Sequence, residues 1–208
     1  MYIVVESVVS MKTFNFNIMH FRTKIINTLI RLNNYSSYLE IGVDDCSNFD
    51  NVNIVNKVSV DPSDFRGIPM FHMKSEEFFK LNTQSFDIIF IDGLHVFDTA
   101  YNDLLCSLKI LKHSGTILLH DTFPKKYEHQ TVPPSDPCWT GDVWKVILKS
   151  QINLLEVDIK TYDVESGLTL ITKNDHSRIK NEKLQEIYEY EYFEKNFKEI
   201  LNLIEFDL

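Results

Sequence analysis

The sequence is short of cysteine: three occur in 208 residues, Cys46, Cys106 and Cys138. An odd number, widely spaced and without a CxxC pair, argues against a disulfide framework or a structural zinc site. Positive charge is also scarce. Lys and Arg number 21 against 30 Asp and Glu, for a net charge of −9, and there is no long basic run. That balance disfavours nucleic acid or an anionic membrane as the main partner. No uninterrupted apolar run is long enough to span a bilayer. The opening MYIVVESVVS is apolar but short, has no basic n-region and carries Glu6, so it does not read as a signal peptide. Internal repeats and low-complexity segments are absent as well. The expectation is a cytoplasmic protein with no nucleic-acid partner and no membrane partner.

What is present is ordinary globular composition, 44% apolar and 25% charged. The length suits one domain over residues 1–208. Within it the pattern predicts an N-terminal helix over 19–33, a core over 36–173 and a helical segment over 178–205. Met19, Ile25, Ile26, Leu29 and Ile30 stand at helical spacing. Strands are expected at Tyr38–Ile41, Lys57–Val60, Met70–Met73, Phe86–Ile91, Thr116–Leu119, Leu154–Ile159 and Leu168–Thr172. The last two are close enough for an antiparallel hairpin. The tail from Asn181 to Ile204 carries a broad apolar stripe, which reads as a capping helix or a homodimer surface. This order describes an α/β fold: a doubly wound, mostly parallel seven-stranded sheet with a C-terminal antiparallel hairpin and one reversed edge strand.

The most informative stretch is Phe86–Thr122, FDIIFIDGLHVFDTAYNDLLCSLKILKHSGTILLHDT. Phe86–Ile91 is a bulky apolar run, the signature of a strand buried on both faces. It stops at Asp92, Gly93 and His95. Thr116–Leu119 is a second such run and stops at His120-Asp121. In an open parallel sheet, ligands bind beyond the carboxyl ends of the strands. Two strands therefore deliver acids and imidazoles to the same sheet edge.

The turn after the first strand, EIGVDDCSNFD, has one glycine near three acids, Glu40, Asp44 and Asp45. Dinucleotide sites need several glycines there so that the backbone can approach a pyrophosphate. A pyrophosphate would be repelled here, whereas a cationic nucleoside would be tolerated. Asp61, ending the second strand, sits where a carboxylate can accept both hydroxyls of a ribose. Two inward carboxylates, one glycine and no phosphate cradle describe a site for S-adenosylmethionine.

With these residues in place, the chain resembles the class I S-adenosylmethionine-dependent methyltransferases, a Rossmann-like fold. The closest likeness is to the small branch related to catechol and macrolide-sugar O-methyltransferases. The matching segments are YLEIGVDDCSNF, KVSVDPS, MKSEEFF, FDIIFIDGLHVFDTAYNDL, LKHSGTILLHDTFP and WTGDVWKVI, spanning about residues 38–148 in the family's order. The resemblance implies that Glu40 and Gly42 line the methionine end and that Asp61 binds the ribose. Ser75, with Glu76, then lies near the adenine, and Asp92 closes the site beside the sulfonium. In metal-dependent members, the positions of Asp92, His120 and Asp121 hold a divalent cation, magnesium or manganese. His95 stands where related enzymes place a general base. Two departures are Cys46, at the third position of the glycine turn, and His120, where many metal-dependent relatives have a carboxylate. Imidazole suits manganese, iron or zinc better than magnesium.

The chemistry expected is methyl transfer to a small hydroxylated acceptor such as a saccharide. His95 serves as base, and Asp92 and Asp121 orient the acceptor or bind metal. Asp98 suits the helix dipole, and Asp103 reads as a solvated helix residue. The proline-containing connection from Phe123 to Thr140 reads as an acceptor lid, with Trp144 as a buried anchor. Two other readings compete. One is a non-catalytic cofactor-binding module, disfavoured by His95 and Asp121. The other is a metal-dependent hydrolase using His120-Asp121, disfavoured by a ribose site that hydrolysis does not need.

Overall fold

A computed structural model describes residues 20–64, 70–176, 178 and 181–205. The opening segment and Met19 lie outside the described residues. The first helix, α1, spans Phe21–Asn33 and buries Ile25, Ile26 and Ile30. It is followed by β1 (Ser37–Ile41), α2 (Ser47–Asn51), β2 (Asn56–Asp61), β3 (Phe71–His72) and α3 (Ser75–Leu81). The Phe86–Thr122 stretch forms β4 (Phe86–Ile91), α4 (Phe97–Ile110) and β5 (Leu111–His120). After the long connection come α5 (Trp144–Asn153), β6 (Val157–Tyr162), β7 (Leu168–Lys173), α6 (Tyr190–Leu201) and β8 (Leu203–Ile204).

The strands form one sheet in the order β3-β2-β1-β4-β5-β7-β6-β8. The first five are parallel to one another, and β7 runs antiparallel to both β5 and β6. Three sequence expectations need correction. The sheet has eight strands rather than seven, because Leu203–Ile204 pairs in parallel with Thr161–Tyr162. The reversed strand is not at the edge, since β7 sits between β5 and β6. Finally, β6 starts at Val157 rather than Leu154, because α5 continues to Asn153 and Leu154 is its cap.

Apolar clusters cover both faces. One, under α3 to α6, includes Phe78, Leu104, Trp144, Ile147 and Phe193. The other, under α1 and α2, includes Ile25, Ile26, Phe49, Ile88 and Phe90. Each such side chain contributes roughly 1.5–3 kcal/mol of burial. The apolar stripe of the tail is largely taken up within the chain. Phe193, Ile200 and Leu201 are buried, Trp144 lies 4.8 Å from Phe193 between ring centres, and Phe123 stacks on Phe197 at 5.3 Å. Helix α6 therefore caps this chain's own core. Among the described residues, no helix is long and apolar enough to cross a membrane.

Candidate active site

The register of the central strands sets the site. Ile41 pairs with Ile91, and Ile91 with Leu119, so the residues just beyond them (Gly42, Asp92 and His120) emerge together at one edge. A cavity of about 800 Å³ opens there. Its wall brings together the residues expected to bind cofactor or metal or to catalyse: Glu40, Gly42, Asp61, Ser75, Asp92, His95, His120 and Asp121.

Gly42 is required by its surroundings. Its φ is +83°, and a Cβ would stand 2.1 Å from the Asp92 carbonyl oxygen. This close approach lets the β1 turn pack on the β4 turn. Cys46 takes a left-handed φ of 65° at the start of α2, a conformation that glycine adopts at lower cost.

Glu40 is 1% exposed. Period-two alternation puts Tyr38 on the same strand face. The Tyr38 hydroxyl donates to Glu40, as does Asn48 Nδ2 at 3.1 Å, and Asn48 Oδ1 accepts from Thr23 at 2.7 Å. Burial pushes the Glu40 carboxyl up to about 8, against these hydrogen bonds. Asp61 is already engaged. Its Oδ2 accepts from the amides of Val43 (2.8 Å) and Asp44 (3.3 Å), and Oδ1 from the amide and hydroxyl of Ser63. Those bonds outweigh partial burial and hold it below the usual carboxylate value. A ribose at Asp61 therefore has to share or replace the Ser63 contacts.

Asp92, His95, His120 and Asp121 form one cluster. His95 Nε2 lies 3.3 Å from Asp92 Oδ1 and 3.3 Å from Asp121 Oδ2. His120 Nδ1 lies 3.1 Å and 3.2 Å from the same two oxygens. Asp121 holds its place with a left-handed φ of 56°. Burial would raise Asp92, but the two imidazoles overcome it and keep the carboxyl well below its ordinary range. For His120, burial works downward and is overcome by Asp92 and Asp121, which push it up to about 10. His95 is raised for the same reason, again against burial. His95 Nδ1 and His120 Nε2 are buried without a hydrogen-bond partner.

The donors of Asp92, His95 and Asp121 all lie within 4.8 Å of one another, with the His120 ring against the same carboxylates. This set of carboxylates and imidazoles fits a divalent cation of the manganese, iron or zinc kind. A second compact group, His129, Asp136 and Cys138, lies in the long connection. That connection rests on the site: the Trp139 ring is 5.2 Å from His95, and its indole donates to the Thr131 carbonyl. Trp144 is fully buried and donates to Gln130 Oε1 at 3.3 Å, as expected of an anchor.

Several residues in or beside the wall were not legible in the sequence. Glu165, at the tip of the β6–β7 hairpin, accepts from Arg22 Nη1 at 3.1 Å and approaches His120 Nε2 at 3.9 Å. Arg22 lines the cavity, and its Nε is buried without a partner. Asp103 corrects an expectation: it is 2% exposed rather than solvated.

Residues 40–122 match the family model described as a methyltransferase domain. No curated protein matches the chain. Among solved structures, the chain is similar to a Staphylococcus aureus protein assigned as a caffeoyl-CoA O-methyltransferase (TM-score 0.57, 16% identity, 74% of this chain and 83% of that one). It is similar also to the SAH-bound methyltransferase PaMTH1 of Podospora anserina (TM-score 0.55, 17% identity, 74% and 78%). A third is the O-methyltransferase of Bacillus cereus in complex with SAH (TM-score 0.54, 14% identity, 74% and 80%). At such identities the likeness is one of fold. The methyltransferase-domain match over residues 40–122 and the fold of these solved methyltransferases coincide on the stretch that forms the cavity.

Proposed function

We propose that the chain transfers the methyl group of S-adenosylmethionine to a hydroxyl of a small acceptor, of which a saccharide is the type. The observation that carries this reading is the cavity itself. It joins a phosphate-free glycine turn, two strand-end carboxylates and a pair of imidazoles at the ends of adjoining strands. The fit of the cofactor rests on the close approach at Gly42 and on the buried Glu40 carboxyl, which suits a cationic amino group. When bound, the sulfonium supplies a methyl group already activated for in-line displacement.

The remaining work falls to the chain. Glu40, Asp61 and Ser75 bind and orient the nucleoside and methionine ends. Asp92 and Asp121 face the reacting centre. His95 is the more exposed imidazole, 21% against 8% for His120, and it adjoins Trp139 in the lid. It takes the acceptor's proton as the oxygen–methyl bond forms and the sulfur–methyl bond breaks. His120, lodged against both carboxylates, would join Asp92 and Asp121 in holding a divalent cation, which would supply a lowered pKa at the acceptor hydroxyl.

His95→Ala is expected to lower turnover by about 10²–10⁴-fold with cofactor affinity retained. Rates with S-adenosylmethionine and hydroxylated acceptors, beside calorimetric cofactor binding, check this. Undiminished turnover would remove the base role. Manganese affinity lost in His120→Ala and kept in His95→Ala supports the division of duties, and the reverse pattern exchanges them.

A further inference from the structure

The connection between β5 and α5 carries a second set of metal-type donors that the methyl-transfer reading does not use. His129, Asp136 and Cys138 each offer one ligand atom, and the three atoms lie within 4.8 Å of one another. His129 Nε2 and Asp136 Oδ1 are already 3.7 Å apart. A tetrahedral zinc ion, with bonds of about 2.0–2.3 Å, holds its ligand atoms about 3.3–3.8 Å from each other. The set therefore closes on such an ion by side-chain movements of about 1 Å. None of the three stands in the wall of the 800 Å³ cavity, so this is a separate place on the molecule.

The backbone gathers the ligands before any ion arrives. Tyr127–Gln130 forms a short 3₁₀ turn. The His129 carbonyl accepts from the Thr140 amide at 2.8 Å and from the Thr140 hydroxyl at 3.1 Å, which brings His129 back beside Cys138. The Glu128 carbonyl accepts from the hydroxyls of Thr131 (3.1 Å) and Ser135 (3.2 Å). Asp136 Oδ1 accepts from the Cys138 amide at 2.8 Å, and Oδ2 from Lys126 Nζ at 2.6 Å. These bonds fix the carboxylate, and Oδ1 keeps a second lone pair for a metal. Coordination through His129 Nε2 puts the ring proton on Nδ1 and gives up a long 3.4 Å contact from the Lys125 amide. Cys138 is exposed, so an ion can enter and a water can take the fourth position.

The donors name the ion. Thiolate and imidazole favour zinc, whereas magnesium and calcium take oxygen ligands. We propose that His129, Asp136 and Cys138 bind one zinc ion, the cysteine as thiolate with its proton released to solvent. No cysteine pair in the sequence marks this site, because the folding of one loop supplies the neighbours of a single thiol. An ion there ties down the segment that covers the active site. Trp139 follows Cys138 and lies 5.2 Å from the His95 ring, and Gly141 packs so closely that a Cβ would stand 1.7 Å from the His95 carbonyl oxygen.

Titration of the chelator-stripped full chain with cobalt(II), kept reduced by a phosphine, tests the site. Cobalt replaces zinc in such sites and gives a strong near-ultraviolet charge-transfer band only when a cysteine sulfur binds it. The wild type is expected to develop that band with one equivalent and to lose it on adding zinc. The band is expected to vanish in Cys138→Ser, to need at least tenfold more cobalt in His129→Ala, and to persist in Asp92→Asn, with folding of each variant checked by circular dichroism. A wild type without the band overturns the inference. So does a band that survives in Cys138→Ser, which assigns it to another cysteine, or one unchanged in His129→Ala, which leaves a lone surface thiol. Loss of the band in folded Asp92→Asn also overturns it.

Discussion

Glu40 shows how one residue couples the site to stability. Its carboxyl ordinarily titrates near 4.5 and here is raised to about 8 by burial. Between those values the folded chain keeps a proton that the unfolded chain releases. Folding stability from this group is therefore complete below about pH 4.5 and is lost as pH rises towards 8. The loss is about 1.4 kcal/mol for each pH unit of that window. Glu40→Gln, which keeps the shape without the charge, is expected to be more stable than the wild type at pH 8 and no more stable at pH 4.5. Urea titrations at the two pH values check it, and equal stability at pH 8 would contradict it. The same variant is expected to weaken binding of a cationic cofactor at least tenfold. Glu40, Gly42, Asp92, His120 and Asp121 were legible in the sequence because they end short apolar runs, and a strand end is the one place where an acid can follow such a run. Arg22, Asp103 and Glu165 were not. Their place depends on helix rotation and on a hairpin tip folding over the sheet, and neither leaves a local pattern.

At the level of elements, Asp87 ties the far edge of the sheet together. Its Oδ2 accepts from the amides of Ser36 and Ser37 (both 3.0 Å), from their hydroxyls (2.9 and 2.8 Å) and from Lys112 Nζ (2.9 Å). The start of β1, the body of β4 and the long run-in of β5 thus meet on one carboxylate. Partial burial opposes ionisation, but Lys112 and the serines prevail and hold it well below the usual value. Its contribution is present above pH 3.8, the ordinary value, and is lost as the pH falls through its depressed one. Asp87→Ala is expected to cost about 2–3 kcal/mol at pH 7. The gap from wild type should close below pH 3.8, as followed by chemical denaturation. An equal gap at both ends would assign the loss to packing alone. This clamp also explains why β5 is longer than its apolar run. Lys112 to Gly115 precede the apolar run, yet they are extended, with Lys112 on Asp87 and Tyr35 on the Ser114 carbonyl. The β6 boundary was misplaced for a related reason: Leu154 and Leu155 are apolar, but they close α5 rather than open a strand.

Across the whole molecule, the alternation of strand and helix through residue 120 sufficed to read a parallel sheet, because a helix between two strands carries the chain back to the end of the sheet where the previous strand began. The eighth strand could not be read, since a two-residue pairing at the sheet's end has no periodicity. The same architecture puts the glycine turn after β1, the carboxylate–imidazole cluster and the long connection after β5 on one edge, and the proposed activity is built on that placement. A ligand that binds only the folded chain stabilises it by about 2.7 kcal/mol at a hundredfold excess over Kd, so binding is also visible as a raised Tm. The most direct measurement is calorimetric titration of the chain with S-adenosylmethionine, with and without manganese. The account predicts one binding event per chain, weakened at least tenfold in Glu40→Gln. Folded protein that gives no binding heat and no rise in Tm in either condition would contradict it.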